Sequence, residues 1–369
     1  MAEKRNSNGV VDKIRQSPPI DTSIAYDISS VKDKTIVITG GASGFGAGLC
    51  RKWAEHGAAV VIGDVSVDQG DQLIRGLRIS TGNANLHFVH CDVSDWQSQV
   101  HLFKEAARLS PHGGIDTVVA NAGIGEKGTL LEQPQGLDAA EPPKPDFTTL
   151  DVNLTGVLYT AHLALFYLER NPGSQPANLE STSVPHPRDR HLLLVGSFAS
   201  LSPLPGAPLY GVAKHGVLGL FRNLRATSFV HGVRVNMICP YFIDTPLLAP
   251  AVHRMVAGGM TGKIEDVVDA SSRLVADATI VGRALVISGK VRVAQTEDGN
   301  WTFVDRQSPD DGEEKAVWEA YVDDYEECEV FVRNMISVLN AATNARGWAG
   351  WLGDHLTATF PSLKGWIGR

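Results

Sequence analysis

The chain has 369 residues, 43% of them apolar and 20% charged, with a net charge of −8. Those figures exclude a disordered, collagen-like or disulfide-stapled chain. Ten acids and one lysine lie between residues 307 and 330, so the rest is near neutral and has no basic stripe for nucleic acid.

Residues 1–30 are polar and Pro-interrupted, which predicts a flexible N-terminal arm, and they contain no apolar leader. From residue 31, short β-branched runs alternate with helix-length stretches. The runs at 35–39, 59–63, 86–90, 117–120, 191–195, 233–238 and 284–287 are almost wholly apolar, as strands buried on both faces should be. Strands separated by helices read as βαβ units. The expected fold is α/β, a Rossmann-type doubly wound seven-stranded parallel sheet. It forms a single catalytic domain over 31–306 with a helical C-terminal extension over 307–369. The Pro- and Gly-rich stretches 125–145 and 171–190 read as long surface loops.

In the extension, Val317, Tyr321, Tyr325, Cys328, Val332, Met335, Leu339 and Ala342 recur every three or four residues, which predicts one apolar stripe along a long helix. Five of the seven tryptophans fall there or just before it, at Trp301, Trp318, Trp348, Trp351 and Trp366. Such an element should dock, as a dimer contact or as a cover over a pocket. The four cysteines are widely spaced and make no CxxC pair, so buried reduced thiols are expected rather than a metal site. No run is long and apolar enough for a membrane span, and a cytoplasmic location is expected.

The first predicted strand runs straight into Gly40, Gly44 and Gly46, spaced GxxxGxG, with Ser43 and Phe45 between them and a helix behind. Glycine lets backbone approach a pyrophosphate closely, and the helix N-terminus favours an anion. Asp64 closes the second strand, where a carboxylate can bind the adenosine ribose hydroxyls. No Lys or Arg occurs in 41–43 or at Val65 and Ser66, so a 2′-phosphate would meet a carboxylate without a local cation. The expected cofactor is NAD.

These residues, together with Asn121-Ala122-Gly123, Asn153, Ser197 and Tyr210-Gly211-Val212-Ala213-Lys214, resemble the short-chain dehydrogenase/reductase family in order and spacing over about 31–306. The likeness is to its NAD-preferring branch, of the 15-hydroxyprostaglandin dehydrogenase-like or fungal secondary-metabolite type. The resemblance implies that Tyr210 is the acid/base, that Lys214 binds the nicotinamide ribose and tunes Tyr210, and that Ser197 holds the substrate oxygen. It further implies that Asn153 supports a proton-relay water, that Asp92 and Val93 contact adenine, that Asn121 lies beside its ribose, and that Thr245 binds the carboxamide. The physical chemistry agrees. Tyr210 and Lys214 are four apart on a predicted helix, and a nearby ammonium favours the phenolate of a group with an ordinary pKa of about 10. One departure is Tyr241, which stands after Pro240 where the family has glycine. A second is the stretch 171–190, which makes the connection between Asn153 and Ser197 longer than the family's, while the apolar, Met- and Gly-containing stretch 247–264 falls where the family carries a substrate lid.

The expected activity is NAD-dependent interconversion of a secondary alcohol and a ketone on a lipophilic small molecule, in the manner of secondary metabolism. The chain is expected to be a homodimer or homotetramer, without nucleic acid and without stable membrane insertion. Two alternatives stand beside it: a non-redox isomerase or cyclase on the same fold, and a cofactor-sensing interaction protein. The intact Ser197, Tyr210 and Lys214 set speaks against the sensor.

Overall fold

Seven parallel strands, β1 (Thr35–Thr39), β2 (Ala59–Asp64), β3 (Leu86–His90), β4 (Thr117–Ala120), β5 (Arg190–Val195), β6 (Val233–Pro240) and β7 (Ala284–Gln295), form the body of the sheet. Their order is β3-β2-β1-β4-β5-β6-β7, so the direction of winding reverses between β1 and β4. The computed structural model describes residues 16–128, 130, 141–177, 188–245, 261–296, 301–304, 312–320, 334–335, 337–338 and 341.

Alternate residues of each strand face opposite sides of the sheet. Ile36 and Ile38 join Trp53, Leu77 and Leu274 on one side. Val37 joins Phe103, Leu168 and Phe221 on the other. Three helices cover the first side, α1 (Gly44–Glu55), α2 (Val67–Thr81) and α6 (Ile264–Ala276). Three cover the second, α3 (Trp96–Leu109), α4 (Gly156–Glu169) and α5 (Pro208–Thr227). A π turn, Asp151–Thr155, leads into α4 and carries Asn153.

The N-terminal edge of the sheet holds a buried ionic network. Lys34 Nζ donates to Asp189 Oδ1 at 2.6 Å, and Arg234 Nε donates to the other carboxylate oxygen. Burial works to raise the Asp189 carboxyl, but the Arg234 and Lys34 charges win and hold it well below the usual carboxylate range. Cys50, Cys91 and Cys239 are free and buried, and burial pushes each thiol up to about 12. Cys328 lies outside the described residues.

The expected seven-stranded parallel sheet is present, and two details need correction. Among the described residues the sheet has nine strands: β7 runs past its expected end at residue 287 to Gln295, and two antiparallel strands join it. These are β8 (Trp301–Phe303), paired at Val293–Gln295, and β9 (Glu313–Glu319), paired from Leu285 to Val293. The extension therefore begins as a β-ribbon, and Val317, the first residue of the expected helical stripe, is in β9, packed against the core. Farther on, Asn334, Met335, Ser337, Val338 and Ala341 are helical, with Met335 48% exposed. The rest of the stripe lies outside the described residues. The ribbon carries its own aromatic cluster, in which Lys315 Nζ sits 4.1 Å from the Trp301 ring and 5.0 Å from that of Trp318.

The arm is the second correction. Gln16 and Ser17 are buried and bonded to the carbonyls of Gly282 and Val281, and Arg273 donates to the Ile24 and Thr22 carbonyls. Backbone hydrogen bonding therefore ties residues 16–31 to the body despite their polar composition. Residues 1–15 lie outside the described range. No helix among the described residues is long and apolar enough to cross a membrane.

Candidate active site

The turn after β1 is built from backbone that favours glycine. Gly40 and Gly44 have φ of +64° and +51°. A Cβ on Gly46 would lie 2.3 Å from the Gly40 carbonyl oxygen, so a side chain there would force the turn open. Ser43 is the N-cap of α1 but makes no side-chain cap, and no acid occupies the first turn of that helix. Nothing lies within 4 Å of the Cβ position of Gly44. An uncapped helix N-terminus facing open space suits an anionic group.

Two side chains brace this turn. Asp64 Oδ2 accepts the Ala42 N–H and its Oδ1 accepts the Ser66 N–H, each at 3.0 Å. Asn121 Nδ2 donates to the carbonyls of Thr39 and Gly40, both at 2.9 Å. In front of them opens a cleft of about 380 Å³. Its lining includes Gly40, Ser43, Gly44, Phe45, Asp64, Asp92, Val93, Asn121, Tyr210, Lys214 and Thr245, which the sequence assigns to one cofactor. Gly46 sits behind the turn. The glycine cradle, the Asp64 carboxylate and the long cleft fit an adenine dinucleotide.

At the far end, Ser197 follows β5 and caps the short 3₁₀ turn Phe198–Ser200. Its hydroxyl accepts the Ala199 N–H at 3.1 Å and donates to the Pro240 carbonyl at 3.4 Å, so it is fixed between β5 and β6. Tyr210 stands in the first turn of α5. Burial pushes its phenol up from the ordinary value, and the nearby Ser197 hydroxyl opposes this only in part. Lys214 Nζ donates to the Val195 carbonyl at 3.1 Å and lies 5.7 Å from the Tyr210 ring centroid. Burial brings this ammonium down to about 8, so most of it is charged at neutral pH.

Asn153 is buried, and both ends of its amide bond one residue. Oδ1 accepts the Ile124 N–H and Nδ2 donates to the Ile124 carbonyl, each at 2.8 Å. Its side chain pins the loop after β4 and keeps one N–H and one oxygen lone pair beyond these two bonds. The sequence reading missed Glu126 in that same loop. Its Oε1 accepts the Leu209 N–H at 3.0 Å and its Oε2 the Tyr210 N–H at 2.6 Å. It missed as well that Phe198 and Tyr241 meet edge to face at 5.1 Å beside Ser197, with 37% and 38% of their surface exposed. The base of the predicted lid is closed by a bridge between Ile243 and Gly262, and residues 246–260 lie outside the described range.

Sheet order, glycine turn and cleft at the reversal point define a doubly wound dinucleotide-dependent enzyme. A family model described as short chain dehydrogenase matches residues 34–255. The chain is 37% identical over 284 residues to 5'-hydroxyaverantin dehydrogenase stcG of Emericella nidulans, covering 73% of this chain and 88% of that protein. It is 32% identical to NADP-dependent dehydrogenase M3 of Phoma sp., covering 79% and 84% of the two chains. Among solved structures, 3-ketoacyl-(acyl-carrier-protein) reductase from Brucella melitensis complexed with NADH has the same fold, with a TM-score of 0.55 and 24% identity over 69% of this chain and 97% of that one. The protein belongs to the short-chain dehydrogenase family and is an oxidoreductase acting on CH–OH groups.

Proposed function

We propose that the protein uses NAD to interconvert a secondary alcohol and a ketone on a lipophilic small molecule, with Tyr210 as the acid/base. The observation that carries the cofactor choice is Asp64, a carboxylate on the cleft wall with no basic residue in 41–43 or at 65–66. It accepts ribose hydroxyls and repels a 2′-phosphate. The half-exposed Phe198 and Tyr241 rings beside Ser197 support an apolar substrate, and the relationship to 5'-hydroxyaverantin dehydrogenase supports one drawn from secondary metabolism.

When bound, the nicotinamide ring supplies the two-electron acceptor. Ser197 Oγ holds the substrate oxygen, and Tyr210 Oη moves the proton between that oxygen and the protein. Lys214 and Thr245 bind the nicotinamide end, Asp92, Val93 and Asn121 the adenosine end, and Gly40, Ser43, Gly44, Phe45 and Gly46 the pyrophosphate. With its phenol pushed up by burial, Tyr210 rests as a proton donor, and the Lys214 ammonium favours its ionisation when an alcohol is oxidised. Asn153 serves this set by fixing the loop at Ile124.

Self-association fits as well. α4 is apolar nearly all round and leaves Leu158 43% and Phe166 50% exposed, a surface suited to a homodimer or homotetramer. Calorimetry with NAD and NADP on the wild type and Asp64→Ser tests the cofactor choice. Wild type should prefer NAD, and the variant should lose that preference. Tighter binding of NADP by the wild type would overturn it.

A further inference from the structure

We propose that Glu126 is a positioning residue for Tyr210, reaching across the site to hold the first turn of the catalytic helix. This rests on the reading of Tyr210 as acid/base. The N-terminus of α5 has no cap of its own. Ala207 stands at the N-cap position and makes no side-chain hydrogen bond, and Pro208 follows with no N–H to offer. The next two donors, on Leu209 and Tyr210, are the ones a local capping residue would satisfy. Glu126 takes both, one with each carboxylate oxygen, from 83 and 84 positions earlier in the chain.

The loop that carries Glu126 is itself fixed along its length. Asn121 ties its start to the glycine turn, Asn153 holds Ile124, and Thr149 Oγ1 accepts the Lys127 N–H at 2.8 Å. Glu126 is thus a rigid strut between the β4 loop and α5, and its load falls on the turn containing Tyr210. Lys214 lies one turn further on and has its own anchor at the Val195 carbonyl. Removing the strut therefore disturbs the phenol far more than the ammonium or the dinucleotide cradle.

The carboxylate also places an acceptor at the helix N-terminus, where the unpaired N–H groups favour one. Glu126 meets Tyr210 at its backbone N–H, whereas Ser197 acts on the phenol and Lys214 Nζ lies 5.7 Å from the ring centroid. Loss of Glu126 therefore reaches the phenol through its placement beside Ser197.

The test compares Glu126→Gln and Glu126→Ala with wild type by near-ultraviolet phenolate titration, each as the difference from its Tyr210→Phe counterpart. NADH fluorescence binding and kcat on an alcohol that the wild type oxidises complete the set. In Glu126→Ala the Tyr210 titration should move from its wild-type position as the phenol leaves its place beside Ser197. In Glu126→Ala kcat should fall about ten- to a hundredfold through misplacement of the hydroxyl. Glu126→Gln keeps one carbonyl acceptor and should lose less. NADH affinity should stay at the wild-type level in both. Unchanged titration and kcat would overturn the proposal, and so would parallel loss of NADH affinity and melting temperature. If Glu126→Ala does not fold, Glu126→Gln decides. A fully active Tyr210→Phe would instead defeat the acid/base reading beneath it.

Discussion

Replacing Lys214 with methionine should abolish turnover yet stabilise the protein. Burial lowers the Lys214 ammonium to about 8 from an ordinary 10.5. At neutral pH the charged group is therefore buried at a cost of about 3 kcal/mol, from roughly 1.4 kcal/mol per pKa unit. Methionine fills a similar volume without a charge. Against this stands the lost hydrogen bond to the Val195 carbonyl, a cost of about 1 kcal/mol. The net gain of about 2 kcal/mol corresponds to a melting temperature roughly 4 to 8 °C higher. The pH dependence follows from the direction of the shift. Because the folded-state pKa is depressed, the unfolded chain binds the extra proton between about pH 8 and 10.5, so wild-type stability climbs through that window. At about pH 9.5 linkage leaves only ~1 kcal/mol of penalty, and the advantage of the variant should vanish. Calorimetric or urea unfolding of both proteins at the two pH values measures this. A Lys214→Met variant less stable than wild type at neutral pH, or a difference that does not narrow with rising pH, would refute the reasoning.

Asp189→Asn should destabilise the protein by about 3–5 kcal/mol, because it leaves Lys34 and Arg234 as uncompensated buried charges. The Asp189 carboxyl is held low in the fold, so its contribution is present above the unfolded value of about 3.9 and is lost as acid titrates the folded carboxylate; acid unfolding curves report it. Gly46→Ala should abolish NADH binding with the fold intact by far-ultraviolet circular dichroism, since its methyl would meet the Gly40 carbonyl. The paired change Leu158→Glu and Phe166→Glu should halve or quarter the mass in light scattering if α4 is the assembly surface; an unchanged mass removes that face from the account.

The central parallel strands were legible because β1, β2, β4 and β6 are buried on both faces and so show as short apolar runs between helix-length stretches. The glycine turn was legible for a related reason: positive φ at Gly40 and Gly44 and the close approach of Gly46 to the Gly40 carbonyl favour glycine, so the constraint is written as letters. Ser197, Tyr210 and Lys214 lie within 18 residues of one another and could be read as a group. The ribbon could not be. In β9 only Ala316 is buried outright among mostly charged neighbours, so no clean alternation marks it, and Val317 fits a helical period as readily as a strand. Docking of residues 16–31 was hidden as well, because it depends on backbone carbonyls meeting Arg273 and on partners more than 240 positions away. The Glu126 strut and the Asn153 staple share that character. Each joins a side chain to the backbone of a distant loop, and backbone groups leave no trace in the sequence.

The most direct test of the account is Tyr210→Phe, followed by two readouts on one preparation: NADH binding by fluorescence, and NADH production from NAD with a panel of lipophilic secondary alcohols that the wild type oxidises. The account predicts wild-type NADH affinity and no NADH production, because the ring and its packing remain while the proton-transferring oxygen is gone. A variant that still turns over at the wild-type rate would contradict it.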